Sequence, residues 1–275
     1  SVGGGRRHAG RGEAHADWAV VGAPGVLGQE ARAATPGPRM AILWQTRRGG
    51  TLCEVRSAGR ARRLYTDGVF HSQFKPAHPV TGSVWDLLLL PAFFHEPGTV
   101  RRVLVLGVGG GAVIRQLLHF IHPQTVVGVE LDPLHLQVAR RFFGLRRKGV
   151  VLHRAEAATW VRGYEGPPFD LVIDDLFGGR DGEPVRAVAA DTAWFDALER
   201  LLAPDGTLVM NFPTAGALRE CAYCANEAVR GRWRSGFRLT NPKDESAWGA
   251  FLRAPDHGRT LRPRLHRKGR QNGSD

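Results

Sequence analysis

Residues 103–112 read VLVLGVGGGA, an apolar run that breaks into clustered glycines. The run is short and rich in β-branched residues, as expected of a buried parallel strand. Glycines let the backbone turn sharply and approach a ligand where a Cβ would collide. Residues 112–121 then place apolar side chains on one helical face, so the loop opens on a helix N-terminus with free N–H groups. The stretch predicts a strand, a tight loop and a helix.

A second strand that ends in carboxylates follows at residues 126–132, VVGVELD. Glu130 lies 21 positions after Gly109, close to the spacing at which an acid reaches ribose hydroxyls in dinucleotide folds. Asp132 precedes Pro133, which also suits the N-cap of the next helix. Together, loop, helix and acid indicate a site for a nucleoside-bearing cofactor.

Strand-like and helix-like segments alternate through the rest of the chain, which is typical of a doubly wound sheet. Further strands are predicted at 150–153, 169–173 and 207–212, with a closing antiparallel pair at 237–240 and 248–252. Helices are predicted at 84–94, 133–143, 159–164, 193–202 and 215–229. The predicted fold class is therefore α/β, a Rossmann-like doubly wound sheet with a small N-terminal antiparallel β region.

Composition divides the chain into four expected parts. These are a disordered or non-native extension (1–39), a β-hairpin region with a connecting helix (40–98), a Rossmann-like domain (99–253) and a basic disordered tail (254–275). No apolar run approaches the roughly 18 residues of a membrane span, so we expect a soluble, cytoplasmic protein without a membrane partner. Part of the formal charge of +12 lies in the tail, which leaves nucleic-acid contact open as a minor alternative.

Metal binding is not expected. The chain has three cysteines, an odd number that argues against a disulfide framework and fits a reducing compartment. Cys221 and Cys224 form a lone CxxC without the second ligand pair that zinc needs.

Ligands of open α/β sheets bind beyond the carboxyl ends of the strands, and glycines and acids follow strand after strand here. We expect the cofactor to contact Gly107, Gly109, Gly110, Gly111, Glu130, Asp132, Glu156, Ala157 and Asp174. Asp174 and Asp175 are the candidate catalytic residues. Because neighbouring residues of a strand point to opposite faces, we expect one of this pair to face the ligand and the other to be structural.

Residues 64–252 resemble the spermidine synthase-like branch of the class I S-adenosylmethionine-dependent methyltransferase fold. The resemblance rests on the hairpin at 66–70, the loop at 103–111, the segment 129–133 and the motif at 170–175. It implies that Glu130 holds the ribose hydroxyls, that Glu156 and Ala157 contact the adenine edge, and that Asp174 holds the amino group of the cofactor.

The chain also departs from the polyamine-making members of this family. They carry a second Asp three positions after the first in the fourth-strand motif, and counting from Asp174 that position is Phe177. They also have a Tyr and an acid on the helix before the first core strand, where only Asp86 resembles a partner. Without a base to remove its proton, an attacking amine stays charged at neutral pH.

These departures favour a methyltransferase that uses S-adenosylmethionine, because methyl transfer to a good nucleophile needs mainly alignment and desolvation. Phe177, Trp85 and Phe70 would line the pocket of a small-molecule or protein acceptor, with Gln73, His71 and Asp86 as polar contacts. The alternatives are a polyamine aminopropyltransferase that uses decarboxylated S-adenosylmethionine, a non-catalytic nucleoside-binding protein and an NAD-linked oxidoreductase. An acidic trough supports the first of these; its members are Asp86, Asp174, Asp175, Asp181 and Glu183. A homodimer is left open.

Overall fold

A computed structural model describes residues 19–22, 40–76, 78–180, 183–241 and 246–253, and only the backbone of 19–22, 179, 180, 183 and 184. The strands are β1 (Ala19–Gly22), β2 (Ile42–Arg48), β3 (Thr51–Ala58), β4 (Ala61–Thr66), β5 (Val69–Phe74), β6 (Arg102–Leu106), β7 (Thr125–Glu130), β8 (Val150–Arg154), β9 (Phe169–Asp174), β10 (Phe177–Arg180), β11 (Glu183–Arg186), β12 (Leu202–Phe212), β13 (Ser235–Thr240) and β14 (Ala247–Leu252). The helices are α1 (Val84–Leu89), α2 (Ala112–Phe120), α3 (Pro133–Arg141), α4 (Ala157–Arg162), α5 (Thr192–Glu199), α6 (Ala215–Arg219), α7 (Ala222–Ala225) and α8 (Glu227–Arg230).

The described residues form a central sheet of eight strands in the order β1-β13-β14-β12-β9-β6-β7-β8. Neighbouring strands pair in parallel except β14, which is antiparallel to both β12 and β13. The chain starts its core at β6, moves outward to β7 and β8, and then returns to the other side of β6 with β9. This reversal places a crevice between β6 and β9, at the point where ligands bind in such sheets. The predicted fold class is confirmed.

Side chains of the central strands are buried on both faces of the sheet. Along β6, Leu104 and Leu106 pack into one hydrophobic cluster, whereas Val103 and Val105 pack into another on the opposite face. This alternation follows from the two-residue period of a strand. Because helices cover both faces, the strand is apolar at every one of these positions, as the sequence predicted.

The four strands from β2 to β5 form a separate antiparallel sheet, as expected for the hairpin region. Cys53, Val55 and Leu64 of this sheet are buried against Leu134 and Val138 of α3. The small sheet is thereby held over the carboxyl edge of β7.

Two predicted helices are interrupted. The segment 84–94 is α1 followed by a 3₁₀ turn over Leu90–Phe94, where Pro91 has no N–H to continue an α-helix. The segment 215–229 is divided into α6, α7 and α8 because Cys221 and Asn226 leave the helical conformation. The side chain of Asn226 instead accepts hydrogen bonds from the backbone N–H groups of Ala228 and Val229.

The edges of the fold also differ from expectation. Residues 19–22 form β1, which pairs with β13, although residues 1–39 were expected to lack regular structure. The hairpin of β10 and β11 was not predicted. The rest of 1–39 and the basic tail at 254–275 lie outside the described residues. In the part of the chain that is described, none of the helices has the length and hydrophobicity that crossing a lipid bilayer requires.

The loop after β6 is shaped by a close approach between two backbones. Gly107 has a φ of 82°, and a Cβ at this position would lie 2.3 Å from the carbonyl oxygen of Asp175. The N–H of Asp175 also donates to the carbonyl of Leu106, at 2.9 Å. A glycine is therefore needed for the backbone of β9 to pass beside the loop.

We predict that Gly107→Ala destabilises the protein by about 2–4 kcal/mol, since it adds a steric clash to the strain of a positive φ. Gly68 is a matched control, because it has the same φ of 82° with nothing within 4 Å of its would-be Cβ. Gly68→Ala should cost only the strain, about 1 kcal/mol. Urea unfolding of the two variants measures the difference; equal losses would show that the contact with Asp175 is unimportant.

Candidate functional site

The crevice between β6 and β9 opens into a cleft of about 860 Å³. Its floor is formed by the loop 107–109 and by the residues that follow β7, β8 and β9, and its opposite wall comes from the β4–β5 hairpin and α1. The carboxyl ends of parallel strands meet at one edge of a sheet, which explains why residues so far apart in sequence share this cleft.

Glu130, the last residue of β7, ties the glycine loop to the sheet. Its Oε2 atom accepts hydrogen bonds from the backbone N–H groups of Val108, at 3.0 Å, and Gly109, at 2.8 Å. Its Oε1 atom accepts another from the N–H of Asp132, at 2.9 Å. The side chain is 9% exposed and lines the cleft. Glu130 is therefore both a structural acceptor for the loop and the carboxylate that a ligand in the cleft would meet.

Two histidines lie beside Glu130. The Nδ1 atom of His135, in the first turn of α3, is 3.8 Å from Oε2 of Glu130, and its Nε2 atom is 2.8 Å from the hydroxyl of Thr66. The ring of His71 lies 4.8 Å from that of His135. Burial and the neighbouring His135 lower the pKa of His71 to about 4, so this imidazole is neutral at pH 7.

The ionised form of Glu130 is favoured. Burial alone would raise its pKa, but the adjacent imidazole of His135 and the N–H groups of Asp132 and Gly109 lower it further than burial raises it. The pKa of Glu130 thus lies below its ordinary value, and the group is a carboxylate at neutral pH.

Asp175 is the carboxylate that follows β9, and it lines the cleft. Its Oδ1 atom accepts a hydrogen bond of 2.8 Å from the side-chain amide of Asn211 at the end of β12. Desolvation, reinforced by the charge of Asp174, raises the pKa of Asp175 to about 6 against the lowering effect of Asn211. The group can change its protonation state near neutral pH, which is the property of a general base.

Asp174, expected to contact the cofactor, does not line the cleft. It is completely buried on the other side of β9, where its Oδ2 atom accepts from the guanidinium of Arg186 at 2.6 Å and from the indole N–H of Trp194 at 2.7 Å. Asp175, and not Asp174, lines the cleft, so Asp174 has the structural position of the pair. The sequence could not decide between them because the strand ends within this pair.

Glu156 and Ala157 line the cleft where β8 meets α4, and their contact with the adenine edge stays a prediction. Glu156 is also the N-cap of α4, since its carboxylate accepts from the N–H groups of Ala158, at 2.8 Å, and Thr159, at 2.7 Å. The hydrogen bond with the Thr159 hydroxyl and these N–H groups lower its pKa.

Three other expected cofactor contacts do not line the cleft. Asp132 caps α3 by accepting from the N–H of Leu134, at 2.7 Å. Gly110 and Gly111 are buried beneath the loop, where an added Cβ would lie 2.9 Å from Phe143 and 2.2 Å from Leu145 respectively. Gly110 and Gly111 support the loop from below, because only glycine leaves room for the side chains that pack there.

Of the expected substrate contacts, Phe177 lines the cleft with Phe70, His71 and Trp85, but Asp86 and Gln73 do not. The carboxylate of Asp86 accepts hydrogen bonds from Thr81, Gly82 and Gln116, so it fixes the turn before α1. The side chain of Gln73 accepts from Arg63 on the neighbouring strand, at 2.9 Å. Asp181 and the side chain of Glu183 lie outside the described residues.

The lining of the cleft is acidic. Among the described residues that line it, the acids are Asp67, Glu130, Glu156 and Asp175, and neither lysine nor arginine is present. This contrasts with the net charge of +12 for the whole chain. The cleft therefore favours a cationic ligand.

Sequence reasoning missed Thr66, His135 and Asn211. Each lies at the end of an element and faces the cleft only because distant strands and helices converge there. Their one shared sequence signal is weak: each is a polar residue next to the apolar part of a strand or helix.

Comparison with known proteins identifies the same region. Residues 86–215 match the model of the spermine/spermidine synthase domain. A polyamine aminopropyltransferase of Mycobacterium tuberculosis is 34% identical over 165 residues, which are 57% of this chain and 30% of the relative. Polyamine aminopropyltransferase 2 of Caldanaerobacter subterraneus subsp. tengcongensis is 29% identical over 143 residues, 50% of this chain and 47% of the relative. The chain thus spans less than half the length of these curated relatives.

Solved structures with the same fold cover more of the chain. A probable spermidine synthase from Corynebacterium glutamicum superimposes with a TM-score of 0.62 at 18% identity, over 78% of this chain and 81% of the other. Spermidine synthase from Thermotoga maritima gives a TM-score of 0.57 at 15% identity, over 78% and 74% of the two chains. At such identities the similarity shows the fold alone.

The expectation that this chain is a methyltransferase is contradicted by these matches, because the domain model and the relatives above are named for polyamine synthesis. The resemblance to the spermidine synthase-like branch is supported over residues 86–215, since the matched domain covers the glycine loop, Glu130 and Asp175. The chain thus has the fold of the solved spermidine synthases, and its residues 86–215 are similar to the spermine/spermidine synthase domain.

Proposed function

We propose that this protein is an aminopropyltransferase, which moves the aminopropyl group of decarboxylated S-adenosylmethionine to an amine of a polyamine. The observation that carries the proposal is an acidic cleft in a basic chain. Both proposed substrates are cations, and the described lining of the cleft offers carboxylates and no lysine or arginine. The matched spermine/spermidine synthase domain supports the same reaction.

The charge of the cleft also favours the decarboxylated donor over S-adenosylmethionine. The two differ by one carboxylate, which would enter a cleft already lined by Asp67, Glu130, Glu156 and Asp175. The donor carboxylate would be repelled by these acids, and no described lysine or arginine of the lining could compensate for its charge. Removal of the carboxylate leaves a donor whose charges are all positive.

The adenosine half of the donor would lie across the loop 107–109. Gly107 and Gly109 line the cleft without a Cβ, so a nucleoside can approach the backbone. Glu130 would bind the ribose hydroxyls, because it is ionised and held in place by three backbone N–H groups. Ala157 presents a small apolar surface beside it for the base.

Asp175 would act on the acceptor amine. The amine attacks the carbon next to the sulfonium, the carbon–sulfur bond breaks, and its electron pair stays on sulfur as a neutral thioether. The proton that the amine loses passes to Asp175, whose pKa of about 6 leaves it ionised above that pH. Phe70, Trp85 and Phe177 would bind the aliphatic chain and, through their ring faces, its positive charge.

The chain offers fewer acids for this step than the polyamine-making relatives described above. When Asp175 takes the first position of the fourth-strand motif, the position three residues later is Gly178, which has no side chain. We therefore expect a slower reaction than in members that carry both aspartates. Because this second acid is missing, a non-catalytic nucleoside-binding protein is the second candidate.

The proposal is tested by incubating the protein with decarboxylated S-adenosylmethionine and putrescine or spermidine, and by following methylthioadenosine and the elongated amine by mass spectrometry. Formation of both products supports aminopropyl transfer. Calorimetry with the same donor, S-adenosylmethionine and NAD separates the remaining outcomes. Donor binding without products would leave a nucleoside-binding protein, and tighter binding of S-adenosylmethionine or NAD would overturn the proposal.

For Asp175→Asn we predict a loss of kcat of about 100-fold or more, because the base is removed while its shape is kept. In the unchanged protein, kcat should fall as pH drops through about 6, where Asp175 becomes protonated. In the Asp175→Asn variant, this fall of kcat near pH 6 should be absent. Asp205→Asn is the control, since Asp205 is exposed and lies outside the cleft.

The same substitution should stabilise the fold. A carboxyl group whose pKa is raised in the folded state binds its proton more tightly there, so it lowers stability as pH rises from about 4 to about 6. Asp175→Asn should therefore raise the free energy of unfolding at pH 7.5 by about 1 kcal/mol, a discounted figure because the residue is only half-buried. Thermal unfolding at pH 7.5 checks this; a lower Tm would contradict the raised pKa.

For Glu130→Gln we predict weaker donor binding, by about 1–3 kcal/mol, through loss of charge-assisted hydrogen bonds. The loop N–H groups would also lose a charged acceptor, so the variant should be less stable at pH 7. Because the pKa of Glu130 is lowered in the folded state, this stability difference should shrink as pH falls below the ordinary glutamate pKa of 4.5 and the folded-state carboxylate becomes protonated. Glu165→Gln, at an exposed position, is the control for both measurements; an unchanged dissociation constant would refute the ribose assignment.

A further inference from the structure

The turn that joins α3 to β8 is strongly cationic. We define the cationic turn as Arg140, Arg141, Arg146, Arg147 and Lys148, all of which are exposed. Between them, Phe143 and Leu145 are buried and Phe142 is half-buried. Apart from Gly144, every exposed residue of 140–148 therefore carries a positive charge.

Acids do not neutralise this turn. Residues 133–155 contain no Asp or Glu. Within the described residues, none of the five side chains forms an ion pair. Exposed cations elsewhere can be paired, as Arg232 is with Asp196 at 2.6 Å and with Glu199 at 3.2 Å.

The cations are presented by an ordered backbone and not by a loose tail. Phe143 and Leu145 anchor the turn in the core, and the N–H of Leu145 donates to the carbonyl of Ala139 at 3.1 Å. Gly144 and Gly149 have φ values of 67° and 84°, which allow the chain to reverse into β8. Like charges held together in this way repel, and an anionic partner would remove that cost.

Neighbouring arginines extend the positive surface. The guanidinium of Arg62, on β4, donates to the carbonyl of Phe142 at 2.6 Å. Arg115, on α2, lies close enough to Arg147 that burial and this second charge lower its pKa. Cations from two further elements, β4 and α2, thus lie beside the turn.

None of the five cations of the turn lines the cleft. Phe143 and Leu145 pack beneath Gly110 and Gly111, so the buried part of the turn supports the glycine loop while its charged side chains are exposed. A positive surface would also repel the cationic substrates proposed for the cleft. The five cations therefore have no part in that reaction.

We propose that the cationic turn binds the phosphate backbone of a nucleic acid. Four of its five cations are arginines, whose planar guanidinium groups bind phosphate oxygens in pairs. A membrane surface is a poorer fit because Phe143 and Leu145 are buried, which leaves no large exposed apolar side chain in the turn to enter lipid. An acidic protein is disfavoured for a similar reason, since protein interfaces centre on exposed apolar or aromatic anchors.

Fluorescence anisotropy of the full chain with a labelled 20-nucleotide RNA and a 20-base-pair DNA tests the proposal. The variant R146A/R147A/K148A should bind at least about tenfold more weakly at 100 mM salt, and the slope of log K against log salt should fall by about 2–3. The control R48A/R60A/R234A removes the same charge from exposed positions outside the turn and should change neither value by more than about twofold. Circular dichroism and Tm establish that both variants are folded.

A third variant, R264A/R267A/K268A, removes the same charge from the C-terminal tail. The proposal would be overturned if only this tail variant lost nucleic-acid binding. It would also be overturned if R146A/R147A/K148A and R48A/R60A/R234A lost binding equally. Stronger binding to phosphatidylserine vesicles or to a polyglutamate peptide than to nucleic acid would also overturn it. Because the three substituted side chains are exposed and do not line the cleft, donor binding by R146A/R147A/K148A should be unchanged, which separates this proposal from the proposed function.

Discussion

The structure depends on the contact between the loop after β6 and the carboxyl ends of the two neighbouring strands. Gly107 allows the backbone of Asp175 to pass at a distance that any side chain would block. On the other side, Glu130 accepts hydrogen bonds from the N–H groups of Val108 and Gly109. The loop is thus held from both sides, and the cleft has a fixed floor before any ligand binds, which lowers the entropy lost on binding.

The cleft is acidic, whereas the chain as a whole is positively charged. The chain has a net charge of +12, yet the described lining of the cleft carries acids and neutral histidine. Arg186 does not line the cleft and is paired with Asp174 behind β9. Its charge lowers the pKa of Asp175, but by less than desolvation and Asp174 raise it. A cationic substrate is attracted to such a cleft, whereas the basic surface elsewhere suits anions.

Much of the fold follows from local patterns. The apolar run at 103–106, the glycines after it and the acid at 130 predicted the strand, the loop and a carboxylate beside that loop, because each signal is contained in a short segment. Ribose binding by Glu130 stays a prediction. The same reasoning was less reliable for Gly110, Gly111 and Asp132, which support the loop or cap α3 without reaching the cleft. The sequence also suggested the wrong reaction, methyl transfer. The absence of the second aspartate was given more weight than the resemblance of the whole domain to polyamine-making proteins.

The sequence alone therefore determined the order of the core strands from β6 onward, the glycine loop and the presence of carboxylates after successive strands, since these depend on periodicity and on residue chemistry. Only the tertiary structure decided which carboxylates share the cleft. Asp175 faces it and Asp174 does not, because Trp194 and Arg186, from elements far along the chain, pack against the other face of β9. Asp86 is likewise withdrawn by Gln116 of α2. Such choices depend on contacts between distant segments, which a local pattern does not contain.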